Sequence, residues 1–280
     1  MLSGGPGPTP DVERLCQSLE RLYRRYNRAS LIRPDPLQFV HRYRQRRDRE
    51  VVGLLAALMA FGRVTQIEKS LGRLFDVMGP SPYRFVQRFT RRDCGLFDGF
   101  RHRFVGGEDV AAFLVVLRRM LAEYETVEQC FLAGYAPADP NVVPALARFR
   151  QRVVAIYERT HANGAPRSFR YLVSGTSPAS ACKRLNLFLR WMVRRDNVDI
   201  GLWRGLDPAR LIVPMDVHLA RISRMLGFHN SQNITCRTAV EVTEAFAAIR
   251  PDDPVRYDFA LCRCGMLGQA FEGGGESGTV

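Results

Sequence analysis

The sequence predicts an all-α protein, a helical bundle of two lobes with a central cleft between them. Apolar residues recur at helical spacing along most of the 280 positions, and no alternating apolar and polar run is long enough for an ordinary strand. The connections are short, and no repeat of fixed period interrupts them.

Taken in order, residues 1–10 and 268–280 are glycine-rich and predict disordered ends, leaving 11–267 as one folded unit. Residues 11–28 place Leu15, Leu19, Leu22 and Tyr26 on one helical face, and a short helix spans 35–43. Residues 48–61, DREVVGLLAALMAF, are apolar almost all round, which predicts a central, buried helix stopped at Gly62. A helix over 66–78 ends at Gly79-Pro80, and Ser81-Pro82 opens another. RRDCGLFDGFRHRFVGGED predicts an irregular loop. Its Phe97, Phe100 and Phe104 are open to two readings: anchors in the core, or rings that stack on bases beside basic contacts to a nucleic-acid backbone. Helices over 109–124, 127–135 and 141–160 precede the polar connection HANGAPRS.

Residues 177–196, SPASACKRLNLFLRWMVRRD, predict a helix with Ser177 as cap and Pro178 in its first turn. Leu185, Phe188, Leu189 and Met192 share the face to be buried, while Lys183, Leu187, Arg190 and Arg194 run down the opposite one. Beyond a linker with one short helix, VPMDVHLARISRMLGF predicts a helix capped by Asp216 and stopped at Gly227. Helices over 235–249 and 254–267 complete the chain.

The 41 Lys and Arg against 28 Asp and Glu give a net charge of +13, a field that attracts polyanions, nucleic acid foremost. Seven cysteines, an odd number at irregular spacings, are no disulfide framework and supply no paired set for zinc or an iron–sulfur cluster. Reduced thiols, with neither metal nor cofactor, are expected. No apolar run is long enough to span a bilayer, and MLSGGPGPTP lacks the charged start and apolar core of a signal peptide, so a cytoplasmic protein is expected.

Only Lys69 and Lys183 are lysines, so arginine meets nearly every need for positive charge. Arginine cannot supply a neutral amine and lysine can. Lys183 therefore has two readings, a solvated charge or a nucleophile, as Asp216 has two, a structural cap or a reacting carboxylate. A carboxylate near a deoxyribose stabilises the positive charge that grows as an N-glycosidic bond breaks, and a neutral amine can then attack C1′.

A basic helix carrying a lysine, followed by a V-P-x-D-V-H turn that opens a helix with R-I-x-R-x-L-G, resembles the helix-hairpin-helix DNA glycosylases, the superfamily of endonuclease III and the 8-oxoguanine glycosylases. The likeness runs over roughly residues 35–267 and is nearest the archaeal-type 8-oxoguanine glycosylase/lyases, on what looks like a bacterial branch. It implies a bifunctional DNA glycosylase and AP lyase that acts as a monomer on duplex DNA carrying an oxidised base, 8-oxoguanine foremost, at the nucleoid. Lys183 matches the Schiff-base lysine and Asp216 the catalytic aspartate, with His218 and Arg221 in matching places. GLLAALMAFGRVTQIEKSLGRLFDVMG is similar to the family's first paired helices, whose turn toward the damaged strand would here hold Arg63 and Gln66. Arg184, Arg190 and Arg194 would hold phosphates. On the last helix, Asp258, Phe259 and Cys262 would form the base pocket, unless that helix only closes the core. The sequence departs from the family where SGTSPAS replaces the usual glycine-rich hairpin, and where the cysteine quartet of the endonuclease III branch is missing. The alternative is a non-catalytic nucleic-acid-binding module of the same fold, with Lys183 a phosphate contact.

Overall fold

Helix follows helix along the residues that the computed structural model describes, 10–173 and 180–269. In order they are α1 (Pro10–Tyr26), α2 (Leu37–His41), α3 (Arg46–Leu58), α4 (Val64–Met78) and α5 (Pro82–Arg88), then the strands β1 (Arg101–His102) and β2 (Val105–Gly106). After them come α6 (Gly107–Tyr124), α7 (Val127–Leu132), α8 (Val143–Thr160), α9 (Arg167–Leu172), α10 (Lys183–Val193), α11 (Val217–Met225), α12 (Cys236–Ile249) and α13 (Asp258–Met266). The protein is all-α. None of the described helices is long and apolar enough to cross a membrane.

The apolar helix α3 is buried almost throughout, as its composition predicts, and α10 packs along it. Gly53 permits the approach, since a Cβ there would stand 2.8 Å from Met192 Cε and 3.4 Å from the Phe188 ring. Helices α5–α9 gather around α6, and α1 and α11 pack on α13. One hydrophobic cluster, from Leu19 of α1 to Leu261 of α13, connects these groups.

Three local expectations are corrected. The loop before α6 holds a 3-10 turn, Arg91–Phe97, and an antiparallel hairpin pairing Arg101 with Gly106 and His102 with Val105. Strands of two residues are too short to leave a periodic pattern. Phe97 and Phe100 anchor the core, whereas Phe104 is exposed. The polar connection HANGAPRS is cut short, because α9 starts at its Arg167. Finally, α10 is no surface helix: Arg184–Val193 is buried on every face, Leu187 and Arg190 included. The cap expected at Ser177 and Pro178 lies outside the described residues, as do most of the two glycine-rich ends. Ser180, Ala181 and Cys182 are not helical, so α10 starts at Lys183. Cys182 enters it in the left-handed region, φ 49° and ψ 31°, a conformation that costs a residue with a Cβ roughly 1–2 kcal/mol.

Candidate active site

A cavity of about 660 Å³ opens among the start of α10, the start of α11, the α3–α4 turn and α13. Lys183, Asp216, His218, Asp258, Phe259 and Cys262 all line it. Its remaining wall includes Pro34, Asp35 and Pro36, Phe61 and Gly62 of the α3–α4 turn, and Tyr171.

At the cavity wall, Lys183 Nζ lies 4.0 Å from Asp216 Oδ2, with the two side chains 39% and 21% exposed. That spacing is an ion pair but not a hydrogen bond, so neither group is locked by the other. Asp216 divides its work between its oxygens. Oδ1 accepts the Leu219 backbone N–H at 2.8 Å and caps α11, while Oδ2 faces the lysine. The two readings of this aspartate are therefore compatible, and the cap fixes the rotamer that aims Oδ2.

Cys262 stands behind the pair. Its Sγ is 3.7 Å from Asp216 Oδ1 and 3.5 Å from Asp258 Oδ1, close enough for the thiol to donate to one of them at a time. Burial, and then the charges of Asp258 and Asp216, push the thiol well above its ordinary range, so Cys262 is a neutral donor. Burial likewise raises the Asp258 carboxyl, against the pull of Arg190, to which it is hydrogen bonded. The Phe259 ring lines the cavity with the Arg263 guanidinium 5.1 Å and that of Arg190 5.9 Å from its centre.

Three expected phosphate contacts are corrected, because Arg184, Arg190 and Arg194 are only 8%, 2% and 4% exposed. Arg190 pairs with Asp199 at 3.2 Å and with Asp258. Arg194 pairs with Asp253 at 2.7 Å, with Asp196 at 3.0 Å and with Asp199. Burial alone would lower both guanidinium pKa values, and the surrounding carboxylates instead raise them. Arg184 donates to the carbonyls of Leu58 at 2.7 Å, Leu172 at 3.0 Å and Tyr171. With carbonyls in place of a carboxylate, burial lowers its pKa to about 10. These side chains hold the fold together around the cavity: Arg184 and Arg190 stand in its wall, and Arg194 lies outside its lining.

Arg63, before α4, and Arg221, on α11, are exposed and stand outside the cavity lining. Gln66 is partly exposed and donates to Ser70 Oγ at 3.0 Å. His218 packs against α13, where a Cβ on Gly265 would meet its Nδ1 at 3.4 Å. The segment SGTSPAS falls on 174–180, of which 174–179 lie outside the described residues. Among the described residues, no group of three or more His, Cys, Asp or Glu is arranged to hold a metal ion.

His102 was no candidate, yet it is fully buried beside the site. Its Nε2–H donates to the Phe61 carbonyl at 3.1 Å, which leaves Nδ1 to accept from Ser70 Oγ at 3.0 Å. Burial lowers its pKa, in keeping with this neutral tautomer. The signal in the sequence was a histidine within RHRF, hidden among arginines.

No curated protein and no solved structure matches the chain. The family described as "Protein of unknown function (DUF2400)" matches residues 35–267, and the chain belongs to that family.

Proposed function

We propose that the protein is a DNA glycosylase with AP-lyase activity that removes an oxidised base, 8-oxoguanine foremost, from duplex DNA. The observation that carries this reading is the Lys183–Asp216 pair, 4.0 Å apart on the wall of a cavity of about 660 Å³. A cavity of that size admits a nucleobase with its sugar, which an enzyme must turn out of the duplex before it can act.

The chemistry follows from the two groups. Neutral Lys183 Nζ attacks C1′, the C1′–N bond breaks, and the base leaves with the bonding electrons and takes up a proton. Asp216 Oδ2 stabilises positive charge on the sugar and accepts the proton that the amine gives up. The nitrogen lone pair then opens the ring C1′–O4′ bond to a protonated imine as O4′ takes the proton that Asp216 holds, loss of a C2′ proton expels the 3′ phosphate, and water releases the lysine. Cys262, Asp258 and Phe259 form the back of the cavity where the base would sit. The net charge of +13, with Arg63 and Arg221 exposed, suits a polyanion, and nucleoid association follows from such a substrate.

Duplexes carrying different oxidised bases, each incubated with the protein and then treated with borohydride, test the reading. A covalent adduct on at least one lesion is expected. Tight duplex binding with no adduct and no strand cleavage on any of them would replace the enzyme with a binding module.

A further inference from the structure

We propose that Arg103 and Phe104, the tip of the β1–β2 hairpin, form a wedge that enters the base stack where a nucleotide has been drawn into the cavity. The inference rests on the glycosylase reading and names the surface that engages the duplex.

Phe104 is 64% exposed and Tyr171 is 42% exposed, and they are the only large exposed aromatic side chains among the described residues. They also touch, edge to face, with ring centres 5.7 Å apart. Tyr171 in turn meets Phe61 at 5.3 Å, and both of these line the cavity. A continuous aromatic row thus leads from the cavity wall to the hairpin tip. Two exposed rings in edge-to-face contact beside one cavity, where the other large aromatics among the described residues are buried wholly or in part, point to a ligand with flat apolar faces.

The row is held rigidly. Arg184 lies beneath it, its guanidinium 4.8 Å from the Phe61 ring and 4.9 Å from that of Tyr171, with its donors already committed to carbonyls. His102 pins β1 to Phe61 and Ser70 from inside. Arg103 turns the chain with φ 55°, and its side chain crosses Gly62, where a Cβ would approach Arg103 Cδ to 2.9 Å. The exposed Arg101 and Arg103 supply positive charge beside the ring, with the Arg103 guanidinium 5.3 Å from its centre. An extruded nucleotide leaves a gap in the stack, and an apolar side chain that fills it replaces the lost base contacts. An exposed ring with one cation over it and a second on the same hairpin fits that gap and the phosphates beside it.

The test uses the full chain and a duplex containing a tetrahydrofuran abasic-site analogue, which requires no base excision. Because Phe104 is exposed, Phe104→Ala should melt as the parent does and bind this duplex about tenfold more weakly, the order expected for one lost base stack. Its affinity for the intact duplex should change little, and Phe104→Leu should recover most of the loss. Trp191 and Trp203 are buried, so the indole of Phe104→Trp is the reporter, and the abasic duplex should quench its emission. Unaltered binding by Phe104→Ala together with unquenched emission overturns the wedge, even if the parent excises lesions normally. If the parent excises nothing but both effects appear, the glycosylase reading falls and the wedge stands as a reader of gapped duplex. A parent that does not bind the abasic duplex overturns both.

Discussion

Helix α10 carries two sets of charges that behave as opposites. At its first residue, Lys183 meets Asp216 at 4.0 Å, partly exposed and unlocked, on the wall of a cavity. Arg190, two turns further along, and Arg194, just past the helix end, are buried among Asp196, Asp199, Asp253 and Asp258, and engaged by several of them at once. The difference is one of availability. A charge buried among several carboxylates is structural, because removing one partner leaves the other desolvated and unpaired. A charge that faces a single partner beyond hydrogen-bond reach can exchange that partner for a substrate.

The largest expected effect breaks the buried set. Asp199→Ala leaves two buried guanidiniums short of a carboxylate and should lower stability by about 3–5 kcal/mol, read by thermal or urea melting. A variant that melts like the parent but binds DNA poorly would move Arg190 and Arg194 back to the surface role that helical spacing suggests.

The next effect acts on the loose pair. Asp216→Asn keeps the oxygen that caps α11 and removes the charge facing Lys183. It should melt within a few degrees of the parent while base excision slows by about a hundredfold or more. Early melting with normal excision by the folded fraction would reduce Asp216 to a cap.

The smallest effect concerns the anchor of the hairpin. His102 is neutral in the fold, with its pKa lowered from 6.5 by burial. Below that value the unfolded chain takes up a proton that the folded chain refuses, so stability is full above about pH 6.5 and is lost as the pH falls. Melting temperatures compared at neutral and mildly acidic pH should show the decline, and His102→Gln should lose that part of it. The same slope in the variant would assign the decline to other groups.

The two sets also show what the sequence could disclose. Asp216 as a cap, Gly227 as a stop and α3 as a buried helix were legible because each is a local signal: a side chain bonding three residues on, a glycine with φ 74°, an apolar run. The lysine stood out because arginine does nearly all the other basic work. Arg190 and Arg194 misled because helical spacing reports only which residues share a face, not what faces them. Asp253 and Asp258, which neutralise them, come from a distant stretch, though Asp196 and Asp199 next to VRR were a nearer hint. The aromatic row was half legible. RHRFVGG marked Phe104 as notable, but Tyr171 meets it, and Phe61 meets Tyr171, only through the packing of the α3–α4 turn, the hairpin and α9.

The central claim, that Lys183 is a nucleophile and not a phosphate contact, turns on one functional group. Arginine keeps the charge and adds donors but stays protonated at any usable pH, so it can replace a contact and cannot replace an attacking amine. Borohydride trapping on a lesion-bearing duplex by Lys183→Arg, with Lys69→Arg alongside, is the most direct measurement. The account predicts that Lys183→Arg binds the duplex about as well as the parent yet forms no covalent adduct and cleaves no strand, while Lys69→Arg does both. An adduct that survives in Lys183→Arg would contradict it and place the nucleophile elsewhere.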